Sequence, residues 1–340
     1  MRRFTPLAVI ALMALFGLGV YHVLGLFKTD TTRAATKPTE EQTQLILPGT
    51  LYLAQDGAIY SLHNGHFTRV SDDTHGWTQP SLLPDGRLLA VARGAQSSDV
   101  YILNADGSIA QQLTHNAATG RRASIDSNHW SFYPVVTPDG TTLYTAYDSP
   151  KAGYMVDLAV WARALSAPQS TQRRWTSPND YTGGDIMPVP LRSGGILYVK
   201  YAVDSKERIT SRIYLQTKAG QAGTPLTAAD DDCLWPAVSP DQKSVAMVCT
   251  GASQQAQLEV APFDGATLGP AHVLVNDRLT AAPVWAPDGH GIAYLAPASA
   301  GGGFQLWWLA NPTRPRPDAP QQVTENLALD AGSRPAWSST

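Results

Sequence analysis

The chain has 340 residues, 43% of them hydrophobic, and a formal charge of -3. That length carries one large domain plus extras, and so slight a charge lacks the basic field that nucleic acid or an anionic membrane face requires. Nine Trp and thirteen Tyr suit strands, and 28 Gly with 25 Pro suit many turns rather than disorder.

Met1-Arg2-Arg3 forms a basic tip, and Leu7 to Phe27 follows as 21 residues without a charged side chain. About 20 apolar residues span a bilayer as a helix. A cleaved export signal has a shorter apolar region and a small-residue cleavage site, and Thr32-Arg33-Ala34 is a poor and late one. Residues 1–28 are therefore expected to be an uncleaved anchor, with a cleaved signal as the alternative. Arg2 and Arg3 hold the N-terminus in the cytoplasm, so the rest is expected on the outer, extracytoplasmic face. Residues 29–48, rich in Thr, Lys, Glu and Gln, read as a flexible tether.

From Gly49 the pattern is β. Thr50–Ala54, Ala58–Leu62 and His66–Val70 are three strands joined by Asp56-Gly57 and Asn64-Gly65. A phrase then recurs: a proline, a few β-formers, Pro-Asp-Gly, and an apolar run. It appears at Pro80 to Gly86, at Pro134 to Gly140, at Pro236 to Gln242 and at Pro283 to Gly289. A weaker copy runs from Pro188 to Gly194, and a truncated one, Arg334 to Ser338, ends the chain. The leading prolines lie 54, 54, 48, 47 and 52 residues apart, the period of a propeller blade. Pro-Asp-Gly presets a tight hairpin, and the leading proline, which cannot donate to a ladder, is expected at a strand start.

Each copy is followed by an Ile/Val-Tyr-x-Leu type strand and then by a Leu-Thr type ending. Val100–Leu103 with Leu113-Thr114, and Arg212–Leu215 with Leu226-Thr227, are examples. The third copy is irregular, with Asp157–Trp161 and Arg173–Trp175. The first three strands lack their own copy of the phrase, and the C-terminal copy lacks partners. The end of the chain is thus expected to complete the first blade, closing the ring and removing exposed edges. The fold expected is all-β, a six-bladed β-propeller over residues 49–340; a seventh blade would have to come from the tether.

This repeat resembles the TolB-type propeller unit, from Gly49 to Thr340. The resemblance implies the propeller and an exported location. It does not imply membership of the Tol–Pal machine, because no α/β domain stands between tether and first strand and an anchor replaces the usual cleaved signal.

Chemistry-bearing motifs are sparse. If Pro240-Asp241-Gln242 is a three-residue loop, Ser239 faces Lys243, and counting outward sets Cys233 opposite Cys249, within disulfide reach. A bond suits an exported domain; two buried free thiols are the alternative. Asp230-Asp231-Asp232 reads as a solvated acidic loop, with a calcium site as the minor alternative. The histidines lack zinc spacing. There is no nucleophile elbow and no phosphate loop, and no cofactor or metal is expected.

Residues ahead of the prolines are expected at one mouth of the channel: His75, Trp77, His129, Trp130, Tyr133, Asp185, Asp232, Trp235, Arg278, Asp330 and Arg334. They suit a peptide, glycan or partner protein; the alternative is that the aromatics pack between blades. The long connection from Asn116 to Phe132, with Arg121, Arg122 and His129, is a candidate binding loop, with a mobile insertion as the equal alternative. The expected function is a non-enzymatic, membrane-anchored binding or scaffold protein of the cell envelope. Its rivals are a propeller glycosidase or lyase using carboxylates such as Asp185 and Asp232, and an accessory sensor domain of a signalling system.

Overall fold

The computed structural model describes residues 45–119, 127–149, 157–251 and 255–339. The expected anchor, most of the expected tether, and Arg121 and Arg122 of the long connection lie outside the described residues. Among the described residues no helix is long and apolar enough to cross a membrane.

The strands form six four-stranded antiparallel sheets, the blades of a propeller. Blade 2 places Trp77–Leu82 innermost, then Leu88–Arg93, Ser98–Leu103 and Ile109–Gln112. Blades 3 to 6 follow the same order, with inner strands Ser131–Val136, Asp185–Pro190, Cys233–Val238 and Ala281–Trp285. Blade 1 takes its inner strand, Ala336–Ser338, from the end of the chain. Leu51 pairs there with Trp337 and Tyr52 with Ala336, and the Trp337 indole N–H donates to the Pro48 carbonyl at 2.8 Å.

The repeated phrases have local causes. In four hairpins the turn aspartate accepts the N–H two residues on: Asp85 from Arg87, Asp139 from Thr141, Asp241 from Lys243, Asp288 from His290. The Leu-Thr ending also has a function in the sheet. The hydroxyls of Thr114, Thr176, Thr227 and Thr324 each accept a backbone N–H of the third strand, at 2.9–3.1 Å. Ser71 does the same in blade 1. These bonds extend the ladder past the last paired residue, where a backbone group would otherwise be left unpaired. The apolar second strands are buried; Leu88, Leu89, Ala90 and Val91 have no exposed surface.

Two expectations are corrected. In blades 2 to 6 the leading proline is not at the strand start: the strand begins three residues earlier, or two in blade 6, and only in blade 1 does Pro335 stand directly before its strand. In blades 2 to 6 the proline and the residue before it sit together opposite a single partner, a β-bulge. The bulge supplies a position where a missing N–H removes no ladder bond. The second correction concerns blade 5. Its loop has four residues, since Ser239 N–H bonds the Ser244 carbonyl. Cys233 nonetheless pairs with Cys249, because the bulge at Trp235-Pro236 shifts the register back by one. The two cysteines are joined by a disulfide across a separation of 16 residues.

Two stability measurements test this architecture. Trp337→Ala removes a buried closing side chain and is expected to lower unfolding free energy by about 3–5 kcal/mol in urea titration. A loss below 1 kcal/mol would mean the last strand does not hold the ring. Replacing both Cys233 and Cys249 by Ala should cost roughly 2–4 kcal/mol, and added reductant should then leave the variant's urea midpoint unmoved.

Candidate functional site

In blades 2 to 6 the residue preceding the bulge proline has positive φ: Gln79 (51°), Tyr133 (53°), Met187 (54°), Trp235 (59°) and Ala282 (52°). Non-glycine residues avoid that region at a cost of roughly 1–2 kcal/mol, and bulges re-aim side chains. Four of these five residues, with Arg334 from the closing segment, line a central cavity of about 190 Å³. Pro80, Pro134, Pro188, Pro335, Leu82, Val135 and Val189 complete much of its wall. It is partly open and mostly apolar.

Bonds between blades fix the wall. The Gln79 backbone N–H donates to Ser333 Oγ at 2.7 Å, and its side-chain Oε1 accepts the Tyr133 N–H at 2.7 Å. Ser81 Oγ donates to the Pro134 carbonyl at 2.6 Å. The closing segment, blade 2 and blade 3 are thus joined in series around the cavity. Tyr133 meets Trp235 edge-on, centroids 6.3 Å apart. The Arg334 guanidinium lies over the Trp235 ring at 5.6 Å, a cation–π arrangement.

Arg334 is the charge at this site. Its Nε and Nη2 are closed off from solvent and have no hydrogen-bond partner. Burial draws its pKa down to about 10, against a small opposing influence of Tyr133, so it stays cationic near neutrality. Burial pushes the Tyr133 phenol up to about 12, helped by Tyr201 and Asp330.

Of the eleven residues expected at the mouth, Tyr133, Trp235 and Arg334 line this cavity; the other eight do not. Trp77 is buried in a cluster with Ile59, Leu88 and Leu103, with the His75 ring tilted against it at 5.1 Å and bonded to Asp72. His129 bonds the buried Asp148 at 2.8 Å, and Trp130 stacks on Phe132. Asp185 has no exposed surface and pairs with Lys200 at 3.2 Å. Burial raises its pKa, with Lys200 opposing. Asp232 accepts both the N–H and the hydroxyl of Ser211. Arg278 pairs with Asp277 and covers Trp307 at 4.0 Å. Asp330 accepts the Thr78 hydroxyl and the Gly332 N–H. Gln79 and Met187 were missed, although the signal was available: they occupy the place directly before the proline that Tyr133, Trp235 and Arg334 occupy in their own copies. Among the described residues no group of three or more His, Cys, Asp or Glu is placed to hold a metal.

Fold and channel together define a six-bladed β-propeller. No family model matches the chain, and no curated protein matches it. Among solved structures it is similar to TolB from Acinetobacter baumannii, at 14% identity and TM-score 0.63, covering 85% of this chain and 66% of that one. It is similar also to a putative TolB from Agrobacterium tumefaciens, at 13% identity and TM-score 0.57, covering 84% and 93%. A Mycobacterium tuberculosis puromycin-hydrolyzing peptidase matches at 14% identity and TM-score 0.50, over 84% of this chain and 47% of that one. The chain thus has a TolB-like propeller fold, one that also occurs within an enzyme, and at these identities the likeness extends to fold alone.

The buried phenol gives a pH dependence. An unfolded tyrosine titrates near 10. Below that pH both states keep the proton. Between about 10 and 12 only the folded state keeps it, so stability falls as pH rises, by up to about 1.4 kcal/mol per pH unit. Tyr133→Phe should therefore lose stability less steeply than wild type between those limits, in urea titrations at stepped pH. Identical slopes would show that the phenol titrates normally.

Proposed function

We propose that the chain is a non-enzymatic binding protein of the cell envelope, whose central cavity takes a peptide segment, free or presented by a partner protein. The observation that carries this reading is the convergence of Tyr133, Trp235 and Arg334, from three blades, on one partly open apolar cavity. Aromatic walls with a few polar groups suit recognition of apolar and peptide surfaces. A wall of proline and aliphatic side chains has few partners for the hydroxyls of a glycan, which favours peptide. A two-carboxylate hydrolase needs its acids facing each other across roughly 5–9.5 Å in the pocket. The carboxylates first suspected, Asp185 and Asp232, are instead committed to Lys200 and Ser211 away from the cavity wall.

The proposal includes location. The Leu7 to Phe27 run would hold the propeller at the outer face of a membrane, and a disulfide-bonded blade suits an oxidising compartment.

Panning a hexapeptide display library on the detergent-solubilised full chain tests the binding reading. Selected peptides are expected to lose about tenfold or more in affinity on Tyr133→Ala or Trp235→Ala, the scale of an interface hot spot. Peptides that bind both variants as well as wild type would place recognition elsewhere and end this reading. Alkaline phosphatase fused after the last residue should be active in cells if the propeller is exported, and inactive if it is cytoplasmic.

A further inference from the structure

Two arginines reach into the interior of the described fold, Arg163 buried and Arg334 half-buried, and they are treated differently. Arg163 in blade 3 is buried, and its guanidinium donates to the carbonyls of Ala164, Leu165, Ala167 and Leu113. That is the usual remedy for a cation removed from water. Arg334 has no such cage. Its Nε and Nη2 lie on one edge of the guanidinium, and both are closed off from solvent and without an acceptor. The nearest acidic group on its own segment, Asp330, is occupied by Thr78 and Gly332. A guanidinium edge cut off from both water and an acceptor is costly, and Arg334 lines the same cavity that the proposed ligand would enter.

We propose that Arg334 is the receptor for a carboxylate of the ligand, held as a bidentate pair on the Nε–Nη2 edge with Trp235 behind the guanidinium plane. This rests on the reading of the cavity as a peptide-binding site. Three features of the structure favour a carboxylate. The free edge presents two parallel N–H donors, the fork that matches a planar carboxylate. One lone cation balances one negative charge. A cavity of about 190 Å³ is below the size of pockets that take whole drug-sized ligands, so it admits a chain end or a single side chain. Reorientation is cheap, because turning that edge into the cavity breaks no hydrogen bond at either nitrogen. The carboxylate then gives both orphan donors an acceptor. Its source is a peptide C-terminus or an Asp or Glu side chain on a peptide otherwise apolar.

The test uses one randomised hexapeptide library on the full chain in detergent, made as C-terminal acids and as C-terminal amides, each with and without Asp and Glu. Binders are expected to require a carboxylate, and Arg334→Met should weaken them roughly 10- to 100-fold, the range for a charged hydrogen bond. Arg334→Lys, which keeps charge without the fork, should recover only part of that loss. Acid-dependent binders from the libraries lacking Asp and Glu assign the site to a chain terminus. Amide binders that need Asp or Glu assign it to a side chain. Urea titration guards against a folding artefact: Arg334→Met should be as stable as wild type or more so, since the orphan charge is gone. If Arg334→Met unfolds the protein, Arg334→Gln serves in its place, and the requirement for a carboxylate in wild-type binders decides alone. Amide binders free of Asp and Glu, sensitive to Tyr133→Ala but not to Arg334→Met, would overturn the carboxylate receptor and leave the peptide site standing. Binders insensitive to Tyr133→Ala, Trp235→Ala and Arg334→Met would overturn both.

Discussion

Three residues at the end of the chain hold the ring shut. Ala336–Ser338 pairs along Thr50–Tyr52, a contact between opposite ends of the propeller sequence. Without it blade 1 has no inner strand, and an unpaired edge faces the channel. The same segment supplies Arg334 and, through Ser333, the acceptor that fixes Gln79. Gln79 in turn fixes the Tyr133 backbone. Closure and cavity are therefore one structural event. The wall that faces a ligand is complete only when the last strand is in place.

The second organising element is the proline bulge. A proline inside an inner strand removes a donor, and a bulge is where the ladder tolerates that loss. The residue before it then adopts positive φ, which happens in five blades. This geometry gives each blade one side chain turned away from the regular alternation of the strand. In four blades that side chain forms the cavity wall. The phrase that makes the repeat visible is thus also the device that builds the site.

The propeller was legible in the sequence because its cues are local and repeated: a period near 50, turn aspartates, and a Leu-Thr ending that proves to close the third strand. The pairing of Cys233 with Cys249 was reached by a count in which two one-residue errors cancel, a longer loop against an unseen bulge. The site was legible in part. Tyr133, Trp235 and Arg334 stood in the phrase, yet were grouped with residues that lie elsewhere. Sequence position places a residue along a strand. It does not show that Trp77 turns into the core between blades, or that Lys200, on the neighbouring strand, occupies Asp185. A periodic pattern does align Gln79 and Met187 with Tyr133 and Trp235 ahead of their prolines, but it does not reveal that a bulge turns that position into the cavity wall.

The distribution of satisfied and unsatisfied groups links these points. At the outer strands hydroxyls and turn carboxylates find their backbone partners with little waste. At the centre the fold carries five strained backbone positions and a guanidinium edge without an acceptor. Stability is a small difference between large terms, so such costs persist only where the surrounding structure over-determines them. Six interlocked blades provide that surplus. A ligand that neutralises Arg334 binds a feature the unfolded chain does not possess, and so stabilises the closed ring by mass action. On the proposed reading, the guanidinium edge left without an acceptor would couple occupancy of the cavity to the strand that shuts the propeller.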